Sequence, residues 1–170
     1  VTYTSESIDV PLTGAERFDS GVPLLDGWLR STAATMERAN MGRTFVWRDD
    51  ASVVAYYHLT PHEMRQEGVP SRQRFAAKNR PVSGFLLAKL ALDKSLHGRG
   101  LGSALLFDAL VRMAAAAAQV GGRLVVVDAI SEEAAGFYRA HGFKDMRDQQ
   151  DGRPQRLFLP MADVVEQLRS

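Results

Sequence analysis

Apolar positions change period along the chain, and the changes predict alternating helices and strands. Leu24, Leu25, Trp28 and Leu29 recur at helical spacing and predict a first helix extending toward Arg38, followed by a loop over 40–43. Thr44 to Trp47 and Ser52 to Leu59 are rich in β-branched and aromatic residues and predict two strands joined by a turn at Asp49-Asp50. From Thr60 to Pro81 prolines and charges break the pattern, giving the longest irregular stretch and the natural place for a functional loop. Phe85 to Leu92 is nearly continuously apolar, as in a strand covered on both faces.

A helix follows from about Gly102 to Gln119. Leu101, Leu105, Ala109, Met113, Ala116 and Val120 form its inward stripe, with Asp108 and Arg112 facing outward and Gly121-Gly122 ending it. Leu124 to Ala129 predicts a buried strand. Glu132 to Ala140 predicts a short helix with Ser131 as N-cap and Gly142 at its end. Two final strands, Phe143 to Met146 and Leu157 to Met161, flank a polar loop with a turn at Asp151-Gly152. The expected class is α/β, a mixed central sheet with flanking helices, in one domain over residues 1–170.

The composition fits that expectation. A chain of 170 residues that is 45% hydrophobic can bury roughly 70% of the surface its unfolded form exposes. The stretches Gly84–Leu92 and Leu124–Val127 fall short of the about 18 apolar residues of a membrane span, so a soluble, cytoplasmic protein without membrane contact is expected. With no cysteine there is no thiol nucleophile, and four scattered histidines make no ligand cluster, so no metal is expected. The net charge is only +1, yet eight basic residues between Arg65 and Arg99 face two acidic ones. Such a run is either a solvated face or a contact for an anionic ligand, nucleic acid or acidic protein.

The candidate chemistry lies in His97-Gly98-Arg99-Gly100-Leu101-Gly102, between a strand and a helix. The first N–H groups of a helix lack intrahelical partners and carry partial positive charge, so such a turn can cradle a phosphate. Arg99 adds a charged donor and Ser103 a hydroxyl. Glycines at alternate positions do not match the dinucleotide spacing, and Gly102-Ser103-Ala104 lacks the lysine of a Walker loop.

These residues resemble the acetyl-coenzyme A motif of the GNAT superfamily, Q/R-x-x-G-x-G/A, with His97 in the first position and Gly100 and Gly102 in the glycine positions. A second signature, Asn followed seven residues later by Tyr and then x-x-x-Gly-Phe, is matched by Ser131, Tyr138, Gly142 and Phe143, with Ser131 replacing the asparagine. Leu24 to Arg30, Arg43 to Val46, Val54 to Tyr57, Leu86 to Asp93 and Ala129 to Ala134 further resemble the GNAT toxins of type II toxin-antitoxin systems, the TacT and AtaT kind. That resemblance implies a GNAT fold and an N-acetyltransferase that uses acetyl-CoA to modify the α-amino group of aminoacyl-tRNA. It also implies a homodimer and neutralisation by an antitoxin with a ribbon-helix-helix domain.

The same resemblance places the thioester beside the backbone of Leu90, Ala91 and Leu92, the pyrophosphate on the segment from His97 to Ser103, and a cofactor contact at Ser131. Tyr138 becomes the candidate general acid, because a phenol with a pKa near 10 can donate to a thiolate whose conjugate acid lies near 8.5. Its alternative is a packing role beside Phe137. No acidic residue lies within Phe85 to Leu92. An α-amino group, with a pKa of about 7.7 to 8.0, needs less help losing its proton than a lysine at about 10.4. Arg72, Arg74, Lys78 and Arg80 become candidate contacts for tRNA phosphates. Two other functions fit the same cradle: acetylation of a small amine or protein N-terminus, and a non-catalytic acyl-CoA-binding module.

Overall fold

The computed structural model describes residues 2–65, 69, 80–146 and 154–170. Its elements in chain order are β1 (Glu6–Ser7), α1 (Pro23–Ser31), α2 (Ala33–Arg38), β2 (Arg43–Asp49), β3 (Ser52–Met64) and β4 (Val82–Leu92). After a 3₁₀ turn (Lys94–Leu96) come α3 (Leu101–Val120), β5 (Leu124–Ala129), α4 (Glu132–Ala140), β6 (Lys144–Asp145), β7 (Gln155–Pro160) and α5 (Met161–Arg169). The strand order is β1-β2-β3-β4-β5-β7-β6. β4 and β5 run parallel, while β1-β2, β2-β3, β5-β7 and β6-β7 are antiparallel. The expected mixed α/β sheet is thus present.

The chain groups into two units, residues 1–60 with 88–109 and residues 61–87 with 110–170, so that β4 and α3 each contribute to both. In the first unit, Leu25, Leu29 and Ala33 of α1 and α2 pack with Val46, Val53, Tyr56 and Ala91. Burying a leucine such as Leu29 stabilises by about 1.5–3 kcal/mol. In the second unit, Met64, Val69, Val82, Leu124, Val126, Met146 and Phe158 form a core cluster.

Several boundaries depart from the sequence expectation. The single helix toward Arg38 is broken at Thr32, which leaves helical geometry at φ −123°. Immediately before it, the Ser31 hydroxyl donates back to the Gly27 carbonyl at 2.7 Å, a back-bond of the kind that bends helices. Of the residues at helical spacing, Leu25 and Leu29 are buried whereas Leu24 is exposed. β3 runs on to Met64, shortening the expected irregular stretch, and the Asp151-Gly152 turn lies outside the described residues. Met161 opens a helix, α5, instead of ending a strand. Met161 and Val164 of α5 are buried, a helical spacing that the last strand-like residues mask.

Helix α3 departs from the expectation at Val120 and at Asp108. Val120 is exposed, so the buried stripe runs through Leu105, Leu106, Ala109, Leu110 and Met113. The helix is also long and apolar enough to cross a membrane by length and composition alone, because its alanine run extends an apolar window that strand-like stretches do not reveal. Asp108, expected to face outward, is instead drawn into a set of hydrogen bonds described below.

Candidate functional site

The segment from the end of β4 to the start of α3 is organised by Asp93. Its N–H donates to the Val54 carbonyl at 2.8 Å. One carboxylate oxygen accepts from Ser95 N–H at 3.0 Å and Ser95 Oγ at 2.8 Å, and the other accepts from Asp19 N–H at 3.0 Å. Burial pushes this carboxyl up, but the hydrogen bonds from Asp19 and Ser95 and the neighbouring His97 outweigh it and hold Asp93 below the usual carboxylate range. Lys94 closes the knot through its N–H to the Asp19 carbonyl at 2.9 Å and its ammonium to the Asp19 carboxylate at 3.3 Å.

Beyond this knot the chain turns through His97 to Gly100. His97 Nε2 lies 2.7 Å from the Leu92 carbonyl oxygen. A carbonyl only accepts, so Nε2 carries the proton, and the ring braces the turn against the last residue of β4. Gly98 and Gly100 adopt φ of +77° and +73°, in the left-handed region that only glycine enters without strain. A Cβ at either would meet nothing within 4 Å, so backbone conformation, not crowding, requires glycine, and open space lies over the turn. Positive-φ glycines at alternate positions, followed at once by the first turn of α3, are the kind of backbone that can present N–H groups to an anion. His97, Gly98, Arg99, Gly100 and Ser103 are exposed around it, while Leu101 and Gly102 are half-buried. Ala91 is buried in the first unit's core, with Leu90 and Leu92 half-buried on either side. Lys89 holds its ammonium 5.4 Å from the centre of the Trp28 ring.

Tyr138 lies in the second unit, on α4. It is buried, with edge contacts to Phe137 at 5.3 Å and Phe143 at 5.4 Å. Buried tyrosines usually find a partner for the hydroxyl, and Tyr56 and Tyr57 do, donating to the Leu25 carbonyl at 2.7 Å and to Asp108 at 2.6 Å. Tyr138 has no hydrogen-bond partner among the described residues. Burial pushes its phenol well above the ordinary value, so it stays protonated at neutral pH. Ser131 is committed to structure, its hydroxyl accepting from Ala134 N–H at 3.1 Å as the N-cap of α4.

Of the predicted basic contacts, Arg80 is exposed, and Arg72, Arg74 and Lys78 lie outside the described residues. The second unit also holds a polar constellation that sequence reading did not find. Arg156 donates to both carboxylate oxygens of Asp128, from Nε at 2.7 Å and Nη2 at 2.8 Å, and its Nη1 reaches His62 Nε2 at 3.1 Å. A guanidinium only donates, so Nε2 accepts and the imidazole proton sits on Nδ1. Burial and then the Arg156 charge lower the His62 pKa, with Asp128 opposing, so the ring stays neutral at physiological pH. Spacings of 62, 128 and 156 offer no local motif.

Comparison with known proteins places this geometry. The acetyltransferase (GNAT) domain family matches residues 40–145. A tRNA-acetylating toxin of Mycobacterium tuberculosis is 40% identical over 121 residues, covering 71% of this chain and 72% of the toxin. Among solved structures, AtaTR bound with AcCoA superposes with a TM-score of 0.82 at 26% identity, covering 99% of this chain and 98% of the other. AtaT complexed with acetyl-methionyl-tRNAfMet shares the fold at a TM-score of 0.86 and 24% identity, covering 99% and 100%. A strand ending in a glycine turn that opens a long helix, within a domain the family matches over most of its length, makes this chain a member of the GNAT acetyltransferases, N-acetyltransferases that use acetyl-CoA.

Proposed function

We propose that this protein is a toxin that acetylates the α-amino group of aminoacyl-tRNA and thereby blocks translation. The observation that carries the reading is the 40% identity to a tRNA-acetylating toxin, spread over more than two thirds of both chains. The chain's own residues supply parts the chemistry needs. The segment from His97 to Ser103, open above Gly98 and Gly100, fits a pyrophosphate on backbone N–H groups. Acetyl-CoA, held there and along the backbone of Leu90, Ala91 and Leu92, supplies an activated acetyl thioester.

Tyr138 Oη is the proposed general acid: protonated at neutral pH and uncommitted to a partner among the described residues, it holds the proton that the sulfur takes up as the acyl group leaves. No carboxylate lies within β4, which suits an acceptor amine already partly neutral near pH 7.7 to 8.0. Ser131, whose hydroxyl oxygen caps α4, meets the cofactor through its backbone in this reading. Arg72, Arg74, Lys78 and Arg80 supply the salt-sensitive contacts to tRNA phosphates in this reading. The reading extends to action in the cytoplasm, as a homodimer, under the control of a ribbon-helix-helix antitoxin. Family resemblance is what supports these last three.

Mass spectrometry of a charged tRNA pool incubated with protein and acetyl-CoA tests the reading. A mass increase of one acetyl group on the aminoacyl moiety is expected. Transfer to free amines or peptide N-termini, with the charged tRNA untouched, would replace it by acetylation of those acceptors. Acetyl-CoA binding without amine-dependent thioester cleavage would leave a binding module.

A further inference from the structure

Helix α3 contains two charged residues in twenty, Asp108 and Arg112. Its buried stripe, Leu105, Leu106, Ala109, Leu110 and Met113, is apolar throughout and makes only non-directional contacts. A polar contact of fixed geometry is what selects a single register. Asp108 supplies such a contact through donors that belong to the first unit. Its Oδ1 accepts from Tyr57 Oη at 2.6 Å and Ser5 Oγ at 2.7 Å, and its Oδ2 accepts from Trp47 Nε1 at 3.2 Å.

The donors come from three places distant in sequence: the segment before β1, β2 and β3. Two of them are rigid. Tyr57 and Trp47 are buried, and the Tyr3 ring stacks on Trp47 at 5.2 Å between centres and 13° between planes. Hydrogen bonds to a carboxylate are shorter and stronger than neutral ones, and three that converge from separate directions fix both where the carboxylate lies and which way it points. Asp108 is seven residues from Leu101, about two helical turns. A one-residue slip would rotate the first turn by about 100° and move it about 1.5 Å along the axis, displacing the end of the helix by one residue relative to the turn from His97 to Gly100.

We propose that Asp108 is a positioning residue for acetyl-CoA, which fixes the register of α3 and so aims the first-turn N–H groups at the pyrophosphate. The inference rests on the cradle reading given above. It makes Ser5, Trp47 and Tyr57 parts of the cofactor-binding apparatus although none of them belongs to the motif.

The test is calorimetric acetyl-CoA affinity, steady-state kinetics and amide hydrogen exchange of the first turn of α3, for wild type, Asp108→Asn, Asp108→Leu, Tyr57→Phe and Ser5→Ala. Asn keeps an oxygen for Ser5 and Tyr57 but turns an NH₂ toward the Trp47 donor. The expected order of affinity is therefore wild type, Asn, Leu, with the Leu variant weakened about tenfold or more and Tyr57→Phe about threefold. KM for acetyl-CoA should rise while kcat at saturation stays within about twofold of wild type. Amides of Gly102 to Leu105 should exchange faster in step with the loss of affinity. Should Asp108→Leu fail to fold, Tyr57→Phe and Ser5→Ala decide alone. Wild-type affinity and exchange in folded Tyr57→Phe and Ser5→Ala would overturn the inference. If wild type itself bound no acetyl-CoA, the cradle reading would fail, whereas the exchange measurement would still report whether Asp108 holds α3 in register.

Discussion

At the scale of single residues, Tyr138 and His58 show what an unpaired polar atom signifies in two different settings. Tyr138→Phe removes only the hydroxyl, so a packing residue would lose little stability or activity. As general acid its loss should lower turnover about 10²- to 10⁴-fold, with melting temperature and acetyl-CoA affinity near wild type. Turnover above about half of wild type, measured where chemistry limits the rate, would remove the assignment. His58 is the opposite case. It is fully buried, its Nδ1 pairs with Thr44 Oγ1 at 2.7 Å, and its Nε2 has no partner among the described residues. A Cβ at Gly42 would sit 2.6 Å from that nitrogen, so the ring is enclosed without room for an additional group. Burial, with the Lys89 charge adding to it, pushes His58 down to about 4. The folded state therefore binds fewer protons than the unfolded state between that value and about 6.5. Stability that is complete above about pH 6.5 is lost as pH falls toward 4, by up to about 3 kcal/mol. The wild type should melt progressively earlier from pH 6.5 to 4.5 than His58→Gln does, and parallel curves for the two would show that His58 does not titrate this way.

At the scale of elements, α4 separates a cap from a cofactor contact. Because the Ser131 hydroxyl accepts from Ala134 N–H, Ser131→Ala should cost about 1 kcal/mol of stability and Ser131→Asp should restore it. Acetyl-CoA affinity should be the same in all three; a loss of affinity in Ser131→Ala that Asp does not repair would assign the hydroxyl to the cofactor. The elements also show which information is local. β5 and α4 fall on the residues that period and capping predict, Leu124–Ala129 and Glu132–Ala140, and the glycine turn between β4 and α3 is legible because its parts are contiguous from His97 to Gly102. The interruption between α1 and α2, the inward-drawn Asp108 and the His62-Arg156-Asp128 constellation were not legible. In the last two the partners are dozens of residues apart, and a charged residue on a helix reads as solvent-facing until its donors are known.

At the scale of the whole molecule, β4 and α3 are each shared by two units, and this has a consequence for how unfolding can be observed. Both tryptophans of the chain, Trp28 and Trp47, fall in the first unit. Indole emission therefore reports that unit alone, whereas far-ultraviolet circular dichroism reports helices of both. A unit that gave up its share of β4 or α3 would break a strand or helix on which the other depends, so the two signals should trace one curve in urea, with the same midpoint and slope. An emission change that ran ahead of the ellipticity would show the first unit opening by itself. The two indoles would then follow that opening in real time without any added label.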